Sequence, residues 1–217
     1  MPGASHKAVK DSNMSPPHCD SDTCGELLFF YMPNAKYGEF CQWFRSTFTV
    51  PKSQIAQLVG QSISDLFDPE LDPNSDQEGS ITFSCAEQFM MYCKAARFGD
   101  TDRQRRILAA ESPKAQKALG KETIGFANES WDIIKSQVVT AGNIAKFGQD
   151  PSLRRKLLAT GDRLLVEAAS RDRVWGIGYS EKHAMNHRKH WGENRLGKAL
   201  MAAREHLMED QKVQRTP

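Results

Sequence analysis

The spacing of apolar and polar residues predicts short strands near the start of the chain and helices through its middle. Residues 26–31 form an apolar, β-rich run that ends in a Pro-Asn turn, and residues 81–83 alternate like a second short strand. From Ala86 onward the apolar positions recur at intervals of three and four, which is the period of a helix with one buried face. The pattern therefore changes from extended to helical at this point.

Capping residues predict where further helices begin. Ser112 and Pro113 combine a preferred N-cap with a proline at the first helical position, and Gly120 supplies a stop. Asn128 precedes a longer helical stripe, and residues 150–151 repeat the Asp-Pro type of start signal. The middle of the chain is therefore predicted to be densely helical.

The C-terminal part of the chain combines extended and helical patterns. Residues 163–169 and 174–178 are short apolar runs, and the polar residues 170–173 between them predict a turn that joins two extended segments. Apolar residues at spacings of four, three and four then predict a closing amphipathic helix over residues 196–208.

Together these elements predict an α+β fold, a predominantly helical single domain with a few short strands that frame a cleft. We assign the domain to residues 25–210. Residues 1–24 are polar and aperiodic, which predicts a disordered tail, and residues 211–217 are predicted to form a flexible C-terminal tail. The turn-rich residues 68–74 predict a surface loop.

Composition narrows the possible classes of protein. The chain has 217 residues, 39% of them hydrophobic and 26% charged, which is typical of a globular domain. A formal net charge of +2 is too small to indicate a polyanion as the main partner, so an anionic ligand must be held locally. No apolar run approaches the roughly 18–20 residues that span a bilayer. Five cysteines without a zinc or redox spacing favour an intracellular, cytoplasmic location.

Two polar residues on the first predicted helix could take part in catalysis. Glu87 and Lys94 are seven positions apart, so helical rotation places both on one flank of the apolar stripe. A carboxylate and an ammonium at the edge of a core can act as acid, base or nucleophile at a cleft. The alternative is an ordinary pair of boundary positions.

The segment around Asp172 has the composition of a ligand-binding bend. Trp175 offers a flat face for a heterocycle, Gly176 and Gly178 allow backbone amides to approach a phosphate, and a carboxylate can stabilise a cationic sugar. A lone Gly-x-Gly is equally typical of a simple turn. Trp131, at the start of its helix, faces either the core or a pocket where free amide groups favour anions.

Histidines and cysteines receive no catalytic role. His183, His187 and His190 have a spacing that would gather three imidazoles on a helix, but the metalloprotease motif is missing and the neighbours are basic. We therefore expect a solvated or phosphate-contacting loop and no metal. The cysteines Cys41, Cys85 and Cys93 do not adjoin a histidine, and we expect small buried hydrophobes.

Motifs spread over most of the chain resemble those of one known family. They are Tyr37-Gly38-Glu39-Phe40-Cys41-Gln42-Trp43, Ala86-Glu87-Gln88-Phe89 with Lys94, Trp131 with Lys135, Ala145-Lys146-Phe147, Leu165-Val166-Glu167, Asp172, Trp175-Gly176, and Asn194-Arg195-Leu196-Gly197. In this order they resemble the NADAR family of YbiA-like N-glycosidases. Cys41 and Gln42 replace the family's usual Ser and Asn, and Gln88 replaces His, which bears on substrate choice.

The resemblance implies hydrolysis of an N-glycosidic bond between a phosphorylated ribosyl group and a nitrogen. YbiA-like members act on ribosylaminopyrimidine phosphates of riboflavin biosynthesis, and other members act on ADP-ribose attached to guanine. The candidate catalytic residues are Glu87, Asp172 and Lys94. The candidate substrate-binding residues are Trp131, Trp175, Gly176, Asn194, Tyr37 and Phe40. No cofactor is expected, and nucleic acid would be a partner only if it were ADP-ribosylated. A non-catalytic ADP-ribose-binding module is the alternative.

The chemistry of these residues is compatible with that reaction. Cleavage of a C1′–N bond develops positive charge on the sugar and negative charge on the nitrogen, so two carboxyl groups and an aromatic platform suffice. Either Asp172 or Glu87 activates water and stabilises the cation, and the other supplies the proton. Trp131 and Trp175 hold the heterocycle. Lys94 pairs with phosphate or Glu87, or attacks an opened ribose as an amine.

Overall fold

Two short sheets and a set of packed helices make up the part of the chain that the computed structural model describes, residues 27–66 and 79–215. The strands are β1 (Leu27–Phe30), β2 (Phe48–Pro51), β3 (Ser80–Phe83) and β4 (Leu164–Glu167). The helices are α1 (Lys52–Val59), α2 (Ile63–Leu66), α3 (Ala86–Arg97), α4 (Thr101–Ala109), α5 (Pro113–Lys121), α6 (Asn128–Gln149), α7 (Pro151–Leu158), α8 (Glu181–Ala184) and α9 (Arg195–Arg215). Short 3₁₀ helices cover Gly38–Phe40 and Met185–His190.

Each sheet joins strands that are distant in the sequence. β1 pairs with β4 in parallel, from Leu27 opposite Leu164 to Phe30 opposite Glu167. β2 and β3 pair antiparallel, with α1 and α2 between them in the chain. Because β1 and β4 run in parallel, their carboxyl ends meet at one edge, which is where ligands bind in many open parallel sheets.

Helix α3 lies at the centre of the fold and is buried along nearly its whole length, from Ala86 to Ala96. It packs against α1, α4, α5 and α6. The close approach of α6 depends on Gly142, where an added Cβ would lie 2.6 Å from a ring carbon of Phe89. The apolar pattern predicted one buried face, but helices on several sides bury the polar residues of α3 as well.

Aromatic rings connect α3 to the antiparallel sheet. The ring of Phe83 lies edge-on to Phe89 and to Tyr92, at centroid distances of 5.1 and 5.5 Å. The ring of Phe48, the first residue of β2, contacts the rings of Phe83 and Phe89. Such edge-to-face pairs add to the stabilisation from apolar burial, so this cluster fixes the rotation of α3 about its axis.

The predicted α+β class is confirmed, and the start signals at Ser112 and Asp150 act as expected. Asn128, by contrast, is the first residue of α6 and not its cap, and α5 continues past Gly120 to Lys121. The Ser112 hydroxyl accepts a hydrogen bond from the amide of Ala115 at 3.2 Å, which caps α5. The Asp150 carboxylate accepts from the amides of Ser152 and Leu153 at the start of α7. The apolar stripe of the closing helix is buried, including Leu196, Leu200, Ala203 and Leu207. Within the described ranges, no helix is long and apolar enough to cross a membrane.

Four local predictions need correction. Residues 174–178 do not form a second strand, because the side chain of Asp172 binds the following backbone amides and turns the chain. α9 continues to Arg215, so residues 211–215 are helical and not part of a tail. The histidine-rich stretch forms α8 and a 3₁₀ helix rather than a loop. Strand β2 and helices α2 and α4 were not predicted.

Two predicted segments fall where the structure gives no description. These are the tail at residues 1–24 and the loop at residues 68–74. Both lie outside the described residues.

Candidate active site

A cavity of about 710 Å³ lies at the carboxyl ends of β1 and β4. Its walls come from the segments that follow these strands, from the segment after the first 3₁₀ helix, and from one face each of α3, α5 and α6. Five of the predicted site residues line it: Glu87, Lys94, Trp131, Asp172 and Trp175. The cavity therefore brings together side chains from distant parts of the sequence.

Glu87 lies in the first turn of α3 and is 5% exposed. Its amide donates to the carbonyl of Gln42 at 3.0 Å, and the Trp43 indole hydrogen-bonds to its carboxyl group. Burial raises the pKa of Glu87, the charge of Asp172 raises it further, and Lys117 together with Trp43 opposes the increase. A buried carboxyl at a cavity wall with a raised pKa is a typical catalytic group.

Asp172 is held by the backbone that follows it. Its Oδ1 accepts hydrogen bonds from the amides of Val174 at 2.9 Å and Trp175 at 2.8 Å. These bonds fix the direction of the carboxyl group and present Trp175 on the same side of the bend. The charges of Asp172 and Glu87 act on each other across the cavity, so the two predicted carboxyl groups share one site.

Glu167 is a third carboxyl group in the cavity, and the sequence analysis did not place it among the site residues. It is the last residue of β4, opposite Phe30 in β1. Burial raises its pKa to about 8, with a further increase from Asp172 and a smaller one from Glu87, while Lys117 lowers it. A charged residue at the end of an otherwise apolar strand was the signal in the sequence that could have identified it.

Cationic side chains line the cavity, and the exposed ones among them, Lys121, Arg171 and Arg173, form its rim. The others are Lys94, Lys117 and Lys135. Lys117 and Lys121 lie one turn apart on α5 and so face the same side. Lys135 forms a salt bridge with Asp132, and Arg173 donates to the carbonyl of His190 at 2.7 Å. Of these residues the sequence analysis named only Lys94 as a site residue.

Lys94 is 8% exposed and lies at the Glu87 face of α3, as their spacing predicts. Its Nζ is 3.8 Å from the centroid of the Phe126 ring. Burial lowers the pKa of Lys94, and the charge of Lys121 lowers it further. No salt bridge among the described residues joins Lys94 to Glu87, so the predicted direct pairing of these two side chains is not present.

Three indoles line the cavity. Trp131 is 5% exposed, so it belongs to both the core and the cavity wall. Trp175 is half-buried and packs against the core. Trp43, which was not predicted as a site residue, adds a third ring and contacts Glu87. Flat rings beside carboxyl groups can hold a heterocyclic leaving group.

Four predicted binding residues lie outside the cavity lining. Phe40 is buried in the core, with its ring against Phe30. Tyr37 stacks on Phe40 and lines a separate cavity of about 420 Å³ beside β1. Gly176 allows a close backbone contact, because an added Cβ would lie 2.8 Å from the carbonyl oxygen of Glu167.

Asn194, the fourth of these residues, supports β4 instead of facing the cavity. Its Nδ2 donates to the carbonyl of Leu165 at 2.8 Å, and its Oδ1 accepts from the amide of Glu167 at 3.0 Å. The backbone φ of Asn194 is +52°, a left-handed conformation that asparagine tolerates better than most residues. Asn194 thus acts in place of a neighbouring strand and positions the end of β4.

The cysteines are buried as predicted. Cys41 lines the cavity, but burial raises the pKa of its thiol to about 11, and burial also raises the pKa of Cys85 and Cys93. The neutral thiol is a poor nucleophile. In the described part of the chain, no group of three or more His, Cys, Asp and Glu side chains is arranged to hold a metal ion.

Comparison with known proteins agrees with the motifs. The sequence model of the NADAR domain matches residues 29–208. The chain is 42% identical over 122 residues to an N-glycosidase of Acanthamoeba polyphaga mimivirus, an alignment that covers 55% of this chain and 72% of that protein. It is 35% identical over 116 residues to the N-glycosidase YbiA of Escherichia coli (strain K12), covering 54% of this chain and 67% of YbiA.

A solved structure has the same fold. The NMR structure of the Escherichia coli protein YbiA superimposes with a TM-score of 0.60 and 24% identity, covering 87% of this chain and 88% of that chain. The match to the NADAR sequence model, over residues 29–208, includes every residue that lines the cavity. The chain therefore belongs to the NADAR domain family.

Proposed function

We propose that this protein is an N-glycosidase that hydrolyses the bond between C1′ of a phosphorylated ribosyl group and a nitrogen. The proposal is supported by relatives named N-glycosidases. The observation that carries it is the meeting of Glu87 and Asp172, distant in sequence, in one cavity lined by indoles and edged by cations.

The two carboxyl groups suit the charges that develop during the reaction. As the C1′–N bond breaks, its electron pair moves to the nitrogen and the sugar becomes cationic. A carboxylate next to C1′ stabilises that cation and takes a proton from the attacking water, and a protonated carboxyl gives a proton to the nitrogen. More than one carboxyl group in a single cavity allows these two tasks to be divided between different residues.

The rim supplies a binding site for phosphate. Lys117 and Lys121 on α5 and Arg171 on the facing segment offer charged donors at the cavity mouth. Hydrogen bonds from such groups to phosphate oxygens are stronger than those between neutral partners. The sugar carbon can then lie deeper, beside the carboxyl groups, with the heterocycle against Trp131 or Trp175.

Two substrate classes fit this arrangement. A ribosylaminopyrimidine phosphate, as in the riboflavin pathway, would use one phosphate position. An ADP-ribosyl group on a nucleobase would use two phosphate positions. The cavity lining has enough cationic side chains to bind both phosphates, so this second substrate class also fits. Lys94 has two candidate roles: it binds phosphate, or its amine adds to the aldehyde of an opened ribose.

Mass spectrometry of the products tests the proposal. Purified protein is incubated with a ribosylaminopyrimidine 5′-phosphate and, separately, with ADP-ribosylated guanosine. Release of the free aminopyrimidine from the first substrate, or of guanosine from the second, with incorporation of one solvent oxygen into the sugar product, supports the glycosidase. Binding of ADP-ribose without base release from either substrate would instead identify a binding module. Borohydride trapping of a sugar on Lys94 distinguishes its covalent role from phosphate binding.

A further inference from the structure

Glu167 is the cavity carboxyl group that the reaction outlined above does not yet use. Its backbone is fixed on several sides. The amide donates to Asn194 Oδ1 at 3.0 Å, the carbonyl accepts from the amide of Ile177 at 3.0 Å, and the strand pairs with Phe30. The side chain therefore projects into the cavity from a rigid position.

One oxygen of the Glu167 carboxyl group lacks the partner that a buried charge requires. Its Oε2 is buried and has no hydrogen-bond partner among the described residues. Within the same residues no salt bridge involves Glu167. An ionised carboxylate in such a place is costly, whereas the neutral acid is tolerated and gains an O–H that can donate to a ligand.

The charged and titratable groups around Glu167 come from four other parts of the fold. They are Glu87 on α3, Asp172 in the bend after β4, Cys41 after the first 3₁₀ helix, and Lys117 on α5. Two of the four are carboxyl groups. The ammonium of Lys117 is shared, because its charge also lowers the pKa of Glu87. These surroundings favour the protonated form of Glu167 at neutral pH, in agreement with its pKa of about 8.

The carboxyl groups of Glu87, Asp172 and Glu167 differ in the hydrogen-bond donors that point at them. Glu87 has a hydrogen bond with the Trp43 indole, and Asp172 accepts from two backbone amides. Donors of this kind suit carboxylates. Glu167 Oε2 has no donor directed at it from the described residues, which favours a proton on Glu167. Burial raises the pKa of Glu87 as well, but there the hydrogen bond from the Trp43 indole opposes the increase.

The geometry points to Glu167 as the general acid that protonates the departing nitrogen, an inference that rests on the proposed glycosidase function. In this reaction the C1′–N bond breaks with its electron pair on the nitrogen, which takes the proton of Glu167. The oxygen of water forms the new bond to C1′ and loses a proton to Glu87 or Asp172. That proton returns through solvent to Glu167, so the net reaction consumes one water and yields the sugar and the protonated base.

A comparison of two leaving groups tests this role. The Glu167→Gln variant and the wild type are assayed on the N-ribosyl 5′-phosphate or ADP-ribosyl substrate that the wild type cleaves, and on both anomers of 4-nitrophenyl ribofuranoside 5-phosphate. Nitrophenolate leaves without protonation. We expect kcat on the N-ribosyl substrate to fall by about 10²–10³-fold, and kcat on the nitrophenyl compound to fall by less than about tenfold.

The pH profile gives a second readout. A general acid must be protonated, so kcat/KM of the wild type is expected to fall as the pH rises through about 8. This alkaline limb should be absent from the residual activity of Glu167→Gln. Glu209→Gln, which removes an exposed carboxyl on α9, is the matched control and should retain both the turnover and the alkaline limb.

Several outcomes would overturn the assignment. Wild-type turnover by Glu167→Gln, or an equal loss on both leaving groups, would exclude Glu167 as the acid while leaving the glycosidase function intact. If wild-type protein released no base from any N-ribosyl substrate, the proposed function and this role would both fail. If Glu167→Gln does not fold, as judged by circular dichroism, Glu167→Asp serves for the same comparison, because it retains the acid but withdraws it by one methylene.

Discussion

The deep wall of the cavity and its rim differ in how their charges are held. On the deep wall, the carboxyl groups of Glu87 and Asp172 are bound by an indole and by backbone amides. On the rim, Lys121 and Arg171 are exposed side chains. Fixed, buried charges are suited to stabilising a transition state, whereas exposed ones mainly attract and bind an anion.

This difference leads to separate expectations for kcat and for KM. In the proposed reaction the groups of the deep wall act on charge that develops as the bond breaks, so changes to them are expected to alter kcat. The groups of the rim are proposed to bind the substrate and the transition state about equally, so changes to them are expected to alter KM and its dependence on salt.

The largest effect is expected from Glu87→Gln. The substitution preserves size and still allows the indole of Trp43 to donate, but it removes the titrating carboxyl group. We expect kcat to fall by about 10²–10⁴-fold with little change in KM, measured by steady-state release of base. The control is Glu209→Gln. Full turnover by a correctly folded Glu87→Gln variant would remove Glu87 from the chemistry.

A pair of variants at Asp172 separates charge from structure. Asp172→Asn keeps an oxygen that can accept from the amides of Val174 and Trp175, and Asp172→Ala does not. We expect both to lose about 10²-fold in kcat, but only the alanine variant to lose about 1 kcal/mol of stability. Thermal unfolding measures the second effect. An asparagine variant with wild-type kcat would contradict a catalytic charge at this position.

At the rim, Lys121→Gln is expected to raise KM by about tenfold and leave kcat nearly unchanged, because one charge-assisted contact to phosphate is lost. The wild-type KM should also rise with sodium chloride, and more steeply than that of the variant. Lys182→Gln, an exposed lysine outside the cavity lining, is the matched control. A fall in kcat at constant KM would place Lys121 with the deep wall instead.

The smallest effect is a pH dependence of stability. The pKa of Glu167 is raised from 4.5 to about 8 in the folded state. Its favourable contribution is therefore complete below pH 4.5 and is lost as the pH rises through about 8. Relative to the wild type, Glu167→Gln should gain at least about 2 °C in Tm between pH 5 and pH 9.

The difference in Tm between the wild type and Glu167→Gln reports on Glu167 alone. Burial lowers the pKa of Lys146 to about 8, which makes stability increase with pH above that value, but this effect is common to both proteins and cancels. A Tm difference that is constant with pH would show that Glu167 does not titrate in this range.

Most of the helices were predictable because they depend on local rules. The seven-residue interval between Glu87 and Lys94 is a property of helical rotation, and the caps at Ser112 and Asp150 are local hydrogen bonds. Asn194 shows where local reasoning fails. Its motif predicted a ligand-binding residue, but its side chain binds the backbone of β4, and only the pairing of distant segments shows that.

By itself, the sequence determined the class of fold, most of its helices, the face of α3 that bears Glu87 and Lys94, and membership of the NADAR family. The tertiary structure decided that Glu167 and Asp172 join Glu87 in one cavity, and that Trp43 contacts Glu87. The physical reason is the distance along the chain over which each interaction acts. Periodicity and capping act within a few residues, whereas burial and the parallel pairing of β1 with β4 depend on contacts between segments that are distant in the chain.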